Sequence, residues 1–426
     1  MTTKAMSLSF SLLSLLTQCN AQSLPEGHIS RPIARQENSS IESIIADSPL
    51  LSLHRDLVEI SSVSNNEVEV GSFLANYLEQ QNFTVTFLNV SVSGNASAGQ
   101  RRDVFATRDT SDSPQPKVLL TSHIDTVPPF IPYSAAHASN STARADIRLR
   151  GRGTVDAKSC VAAQVTTAIE LLDSGNVSAS DLALLFVVGE ENSGDGMSAF
   201  NRSELYASFN ETIKGIIFGE PTEGKLATGH KGTASLFISA NGTAAHSAYP
   251  ELGKSAISMI LPALAAVDSL DALTPEEGGL PRSAKFGNST ANPGLIEAGT
   301  APNVVPGYAS SQTSIRVAGG TPKQFEDAIL ARIALFAPRT FEQLNITFTY
   351  NEGPVDLVGN VTGFEGEVFN YATDIFSIRY RRDVKAYLYG PGSIHVAHGA
   401  NEYVRLGDLE DSVEGYKRLV ADVLGD

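Results

Sequence analysis

The stretch LALLFVVGEENSGDG, residues 182–196, runs from seven consecutive apolar side chains into two adjacent glutamates and a glycine-rich turn. An apolar run without alternation reads as a strand covered on both faces, the form strands take in parallel sheets. Glu190 and Glu191 stand side by side at its end. Neighbouring carboxylates repel, and the arrangement is costly unless a positive group sits between them.

Two further stretches share this form. KVLLTSHID (117–125) and IKGIIFGE (213–220) are apolar runs with polar ends. AKSCVAAQVTTAIELLDSG (157–175) has helical spacing and is closed by Gly175. FTVTFLNV (83–90) alternates like a strand, whereas residues 41–60 and 67–81 have helical spacing. The alternation predicts an α/β fold, a mostly parallel sheet sandwiched by helices. In such sheets functional groups gather where strands end.

The character changes after His230. A strand (TASLFISANG), a helix near 254–270, the strands AKFGNST, GLIEAG and YASSQTSIRV, a helix near 322–336 and the strand NITFTYN follow in order. That order predicts a small α+β domain of ferredoxin-like type over residues 231–351. It is inserted in a larger domain made of residues 41–230 and 352–426. The last segment is expected to supply a helix near 365–377, a strand at 383–389 and a helix near 408–424.

The chain has 426 residues, 42% hydrophobic and 18% charged, which marks a globular protein. A net charge of −16 disfavours nucleic acid and anionic membrane surfaces as partners. Lys4, the apolar run Met6–Leu16 and the small residues Cys19 and Ala21 read as a signal peptide over residues 1–21. Residues 22–40 read as a leader or pro-segment. Removal of the signal takes Cys19, leaving Cys160 alone and excluding an intrachain disulfide. Asn-X-Ser/Thr sequons recur from Asn38 to Asn360, so a secreted, N-glycosylated protein is expected, with each sequon at the surface.

The polar strand ends and loops carry His123 and Asp125, Asp156 in GRGTVDAKS, Glu190 and Glu191, Glu220 in FGEPT, and His395, His398 and Glu402 in GPGSIHVAHGANE. Imidazoles with several carboxylates are a ligand set for divalent transition metals, zinc most readily. The donors exceed the needs of one zinc, and two zincs sharing a carboxylate use them better. One glutamate of the Glu190–Glu191 pair can then bind metal while the other stays free as a general base.

The order of these motifs resembles the two-zinc exopeptidase and deacylase family of aminoacylase-1, glutamate carboxypeptidase G2 and succinyl-diaminopimelate desuccinylase. The matching pieces are SHIDTVP, GRGTVDAK, GEENSGDG, GEPT, GTAAHSAYPELGKSAI, PNVVPGYASSQTSIR and GPG…AHGANEYV. The resemblance implies the family's zinc-exopeptidase fold with the inserted domain as a lid. It implies that His123 binds zinc and is oriented by Asp125, that Asp156 bridges two zincs, and that Glu191, Glu220 and His398 are ligands. Glu190 is then the catalytic base, and His246, Asn303, Arg316 and Gly392 bind substrate. Ser159 and Cys160 stand where family members usually carry glycines; Cys160 falls on the following helix, which favours packing over ligation. His395 lies one turn from His398, but the AHGANE pattern selects His398.

The resulting expectation is a secreted zinc carboxypeptidase acting on a peptide with a free C-terminal carboxylate. A dipeptidase or N-acyl-amino-acid deacylase would use the same machinery. A catalytically inactive metal- and peptide-binding glycoprotein would need the ligands, but not the free base that Glu190 supplies. A homodimer through the lid is a further implication of the resemblance.

Overall fold

The computed structural model describes residues 40–91 and 101–425, and Ile41 onward belongs to one compact unit. The stretches expected to be a signal peptide and a leader, up to residue 39, lie outside the described residues, as do the sequons at Asn38 and Asn95.

The central sheet has six strands in the order Thr84–Asn89, Arg102–Thr107, Leu182–Val187, Val118–His123, Gly215–Gly219 and Lys385–Tyr389. The last four run parallel to one another; the first two are antiparallel additions at one edge. The continuous apolar run opened above has its reason here. Leu182, Leu184 and Phe186 belong to the core beneath one face, and Ala183, Leu185 and Val187 to the core beneath the other. Successive side chains of a strand point to opposite faces, so both must be apolar when helices cover both. Pro49–Glu59, Val68–Gln80, Lys158–Asp173 and Leu406–Leu424 contribute to the first core, and Asp195–Asn201 and Glu204–Phe209 to the second.

The strand Gly232–Asn241 opens a second sheet, four-stranded and antiparallel, in the order Thr290–Ala298, Tyr308–Val317, Gly232–Asn241 and Leu344–Glu352. Ala234, Leu236, Ile238, Ala309, Ile315 and Val317 pack beneath the helices Ala256–Asp268 and Pro322–Phe336 in a core of their own. The register pairs Ser235 with Ser314 and Thr233 with Arg316, so these polar side chains share the opposite face.

Two sequence expectations are corrected. The helical spacing of residues 41–60 is broken into Ile41–Ala46 and Pro49–Glu59, because Ser48 caps the second helix and Pro49 opens it. The helix expected at 365–377 is instead the strand Gly366–Phe369 followed by a 3₁₀ turn, Asp374–Ser377. Gly366–Phe369 runs parallel to Leu226–His230, whose edge offers backbone groups that a helix could not pair. A Cβ at Gly366 would lie 2.9 Å from the Thr228 side chain, so the approach needs glycine.

Candidate metal centre

Parallel register brings three of the polar strand ends to one edge. His123 pairs with Val187, two residues before Gly189, and Thr121 pairs with Phe218, two residues before Glu220. Glu190, Glu191 and Glu220 therefore surround His123 at the carboxyl ends of neighbouring strands.

His123 is buried, and its Nδ1 donates to the backbone carbonyl of Asp125 at 3.0 Å. This fixes the tautomer and turns Nε2 toward the carboxylates. Nε2 lies 3.1 Å from Asp156 Oδ1 and 3.8 Å from Glu220 Oε1. The other oxygen of Asp156 is 3.1 Å from His398 Nε2, which is also 3.1 Å from Glu191 Oε2. Asp156 thus presents one oxygen to each of two imidazoles.

The Asp125 side chain lies 3.6 Å from His123 Nδ1 and does more than face it. It accepts the backbone N–H of Glu190 at 3.0 Å, that of Glu191 at 3.3 Å and the Ser64 hydroxyl at 2.7 Å. Arg101 lies behind the same turn. This fully buried guanidinium forks onto Glu67 and reaches Asp195 at 3.3 Å. A Cβ on Gly189, which has φ 77, would lie 2.3 Å from Arg101 Nη2. The glycine after the strand is there to let backbone and guanidinium meet.

The Asp156 loop is anchored from below. His54, a buried residue on the helix Pro49–Glu59, donates Nε2 to the Thr154 carbonyl at 2.9 Å. Lys158 Nζ donates to the carbonyls of Leu57 and Ile60, each at 2.8 Å, at the end of that helix. Cys160 is buried on the helix Lys158–Asp173, where close packing on Gly219 and Gly390 gives it a structural place. Burial pushes its thiol upward, away from the thiolate that metal ligation needs.

The electrostatics call for a cation. Burial raises the carboxyls of Glu190, Glu191 and Glu220, and neighbouring carboxylates add to it. His398 is pushed up to about 10 by Asp156 and then Glu191. Glu191 Oε1 is buried with no hydrogen-bond partner among the described residues. Donor atoms of His123, Glu190 and Glu220 lie within 4.8 Å of one another, as do those of His123, Asp156 and Glu191. Convergent imidazole and carboxylate donors with an orphaned oxygen fit a divalent metal centre.

The cluster floors a cleft of about 770 Å³ walled by Asn192, Ser193, Tyr371, Thr373 and Asp374 and by Thr233, Ser235, Ser314, Arg316 and Asn351 of the second sheet. Other expected substrate contacts are elsewhere. His246 and Asn303 do not line this cleft; they neighbour each other, where Ser247 N donates to the Asn303 carbonyl at 3.0 Å. His246 pairs with Val304 near Tyr308, and Arg316 is at the other end of the ten-residue strand Tyr308–Val317. Eight residues of extended chain from Tyr308 to Arg316 span roughly 26 Å. Gly392 lines a different cavity, of about 300 Å³, with Ser393, Tyr403 and Arg405. His395 is exposed and outside the cluster.

Asp374 is the cleft residue that sequence reasoning missed. Burial raises it to about 7, and it sits on the segment read as a helix. Glu402, named with the histidines, turns away from the cluster to Arg152, which lies inside the GRGTVDAK motif.

Residues 119–422 match the model of peptidase family M20/M25/M40. A probable carboxypeptidase of Aspergillus oryzae is 46% identical over 396 residues, covering 91% of this chain and 90% of the relative. A probable carboxypeptidase of Aspergillus niger is 48% identical over 386 residues, covering 90% and 91%. Among solved structures, the M20 metallo-carboxypeptidase Sso-CP2 of Sulfolobus solfataricus aligns with a TM-score of 0.61 at 16% identity, covering 88% of this chain and 98% of that one. YXEP of Bacillus subtilis, described as a dinuclear metal-binding peptidase of the M20 family, aligns with a TM-score of 0.53 at 15% identity, covering 88% and 98%. The strand-end cluster and the extent of these matches lead to one conclusion: the chain belongs to peptidase family M20/M25/M40.

Proposed function

We propose that this protein is a secreted, zinc-dependent carboxypeptidase that hydrolyses the peptide bond beside a free C-terminal carboxylate. The observation that carries the reading is the placement of Arg316 across one cleft from the imidazole–carboxylate cluster. Among the described residues lining that cleft, Arg316 is the one lysine or arginine. The relatives named probable carboxypeptidases support the substrate class.

In this reading His123, Asp156 and Glu220 would hold one zinc, and Asp156, Glu191 and His398 would hold the other. The dinuclear Bacillus subtilis relative supports a pair of ions. The chemistry that a bound pair would supply is polarisation of the scissile carbonyl and a lower pKa for the attacking water. Glu190 removes the proton of that water and delivers it to the leaving nitrogen. Asp125 holds the backbone of the turn that carries Glu190. Arg316 clasps the substrate carboxylate with paired N–H groups.

Residues 231–351 act as the lid, a body with its own sheet and core. A substrate role for His246 and Asn303 requires the far end of a lid over the cleft, by closure or from a second copy in a homodimer. Secretion and glycosylation are supported by the apolar leader and by the sequons. Asn82, Asn89, Asn140, Asn176, Asn241, Asn288, Asn345 and Asn360 are exposed, and Asn201 and Asn210 half-buried. No helix of the described residues is long and apolar enough to cross a membrane.

The test is hydrolysis of blocked dipeptides with a free C-terminus, their amidated forms, unblocked dipeptides and N-acetyl amino acids, with zinc supplied. Release of the C-terminal residue, cut to a small residual rate by amidation and abolished by Glu190→Gln with zinc still bound, is expected. Cleavage of N-acetyl amino acids alone would move the enzyme to the deacylases. Turnover of unblocked dipeptides alone would make it a dipeptidase. No turnover with zinc bound would overturn the catalytic reading.

A further inference from the structure

The loop that carries Asp156 and the loop that carries His398 are joined by one buried ion pair. Arg152 Nη1 donates to Glu402 Oε2 at 2.6 Å, with side chains 3% and 1% exposed. The same guanidinium donates to the carbonyl of His398 at 3.2 Å, that of Gly399 at 3.3 Å and that of Pro129 at 3.2 Å. Glu402 uses its other oxygen to accept the backbone N–H of Val155 at 3.2 Å, one residue before Asp156. A planar fork meets this set of acceptors in a way that an ammonium cannot.

His398 depends on such support. Its side chain is 52% exposed, so packing does little to place the ring. Its backbone has φ 63, a region that side chains other than glycine rarely adopt. The bond from Arg152 to the His398 carbonyl holds that backbone, and through it the ring nitrogen beside Asp156 and Glu191. The other side of the cluster has different supports. His123 ends one parallel strand and Glu220 directly follows the next, and Asp156 keeps the anchors that Lys158 and His54 give its loop.

We propose that the Arg152–Glu402 pair is a positioning device for one of the two cation subsites, that of Asp156, Glu191 and His398, and not for that of His123, Asp156 and Glu220. The inference rests on the two-ion reading above. Its consequence is a split: loss of the pair releases one ion and spares the other.

The experiment is zinc binding by equilibrium dialysis with metal counting, on the wild type, R152K, E402Q, H398A and the double variant R152K/H398A. Thermal unfolding of the metal-free forms runs alongside. The wild type is expected to hold two zincs. R152K and E402Q keep one at wild-type affinity and bind the other about 10–100-fold more weakly, the usual effect of losing an outer partner of a metal ligand. R152K adds nothing to H398A at the remaining site, because both act on the same ion. R152K regains activity when zinc is raised. Should a single change unfold the protein by leaving one buried charge unpaired, R152M/E402L removes both charges and is expected to show the same split. Two zincs bound at wild-type affinity by R152K and E402Q, or equal weakening at both sites, would overturn the inference. So would a lower midpoint of the metal-free protein with no split. A wild type that binds other than two zincs overturns the two-ion reading itself, before any variant is compared.

Discussion

The Asp125 carboxylate accepts the backbone N–H of Glu190 at 3.0 Å through one oxygen and that of Glu191 at 3.3 Å through the other. The residue beside the histidine of the HxD motif therefore also sets where both glutamates sit. Asp125→Asn keeps the shape but replaces one acceptor oxygen with an N–H donor. We expect kcat to fall about 10–100-fold, with KM moved much less. An unchanged kcat in steady-state kinetics would show that the turn holds Glu190 without this carboxylate.

Arg316 lines the cleft and is proposed to read the substrate carboxylate. Arg316→Lys keeps the charge but loses the fork. KM for peptides with a free C-terminus should rise about 10–100-fold, the equivalent of one charge-assisted hydrogen bond. Residual cleavage of amidated peptides should not respond. If both peptide classes weaken equally, Arg316 supports the lid and does not bind the carboxylate.

Gly392 distinguishes a structural role from a substrate one. It has φ 70, and a Cβ there would lie 2.6 Å from a Val155 methyl and 3.1 Å from one of Val404. Gly392→Ala should cost about 1–3 kcal/mol in urea unfolding, since both the dihedral and the packing resist it. A changed KM at unchanged stability would refute this and restore direct substrate contact.

His54 contributes a pH dependence whose sign is set by burial. Burial lowers it from 6.5 to about 4, against the opposing hydrogen bond with the Thr154 carbonyl. A histidine depressed in the folded state stays neutral there while the unfolded chain takes up the proton. Its stabilising share is full above pH 6.5 and is lost as pH falls to about 4. Comparison of metal-free wild type with His54→Gln cancels every other titrating group. The stability difference between them should shrink by about 3 kcal/mol over that window. A difference independent of pH would rule out a neutral buried His54.

Most of the architecture was legible in the order of residues. Unbroken runs such as Leu182–Val188 need cover on both faces, and that condition already implies a sheet between helices. The polar residues that end those runs named the cluster, because a parallel sheet gathers strand ends at one edge. The segment 365–377 misled because spacing describes one chain segment and not the open strand edge beside it. Gly366–Phe369 is a strand because Leu226–His230 is its neighbour.

By itself the sequence determined the apolar runs, the change of pattern after His230 and the imidazole and carboxylate side chains that end those runs, since these follow from side-chain period and residue chemistry within short windows. Tertiary structure decided which donors meet and what holds them. Arg152 and Glu402, 250 residues apart, become one buried pair only when the loops around Asp156 and His398 converge. His246 and Arg316 are kept apart by the length of a strand. Distance in space is fixed by sheet register and packing between remote segments, and no local pattern encodes it.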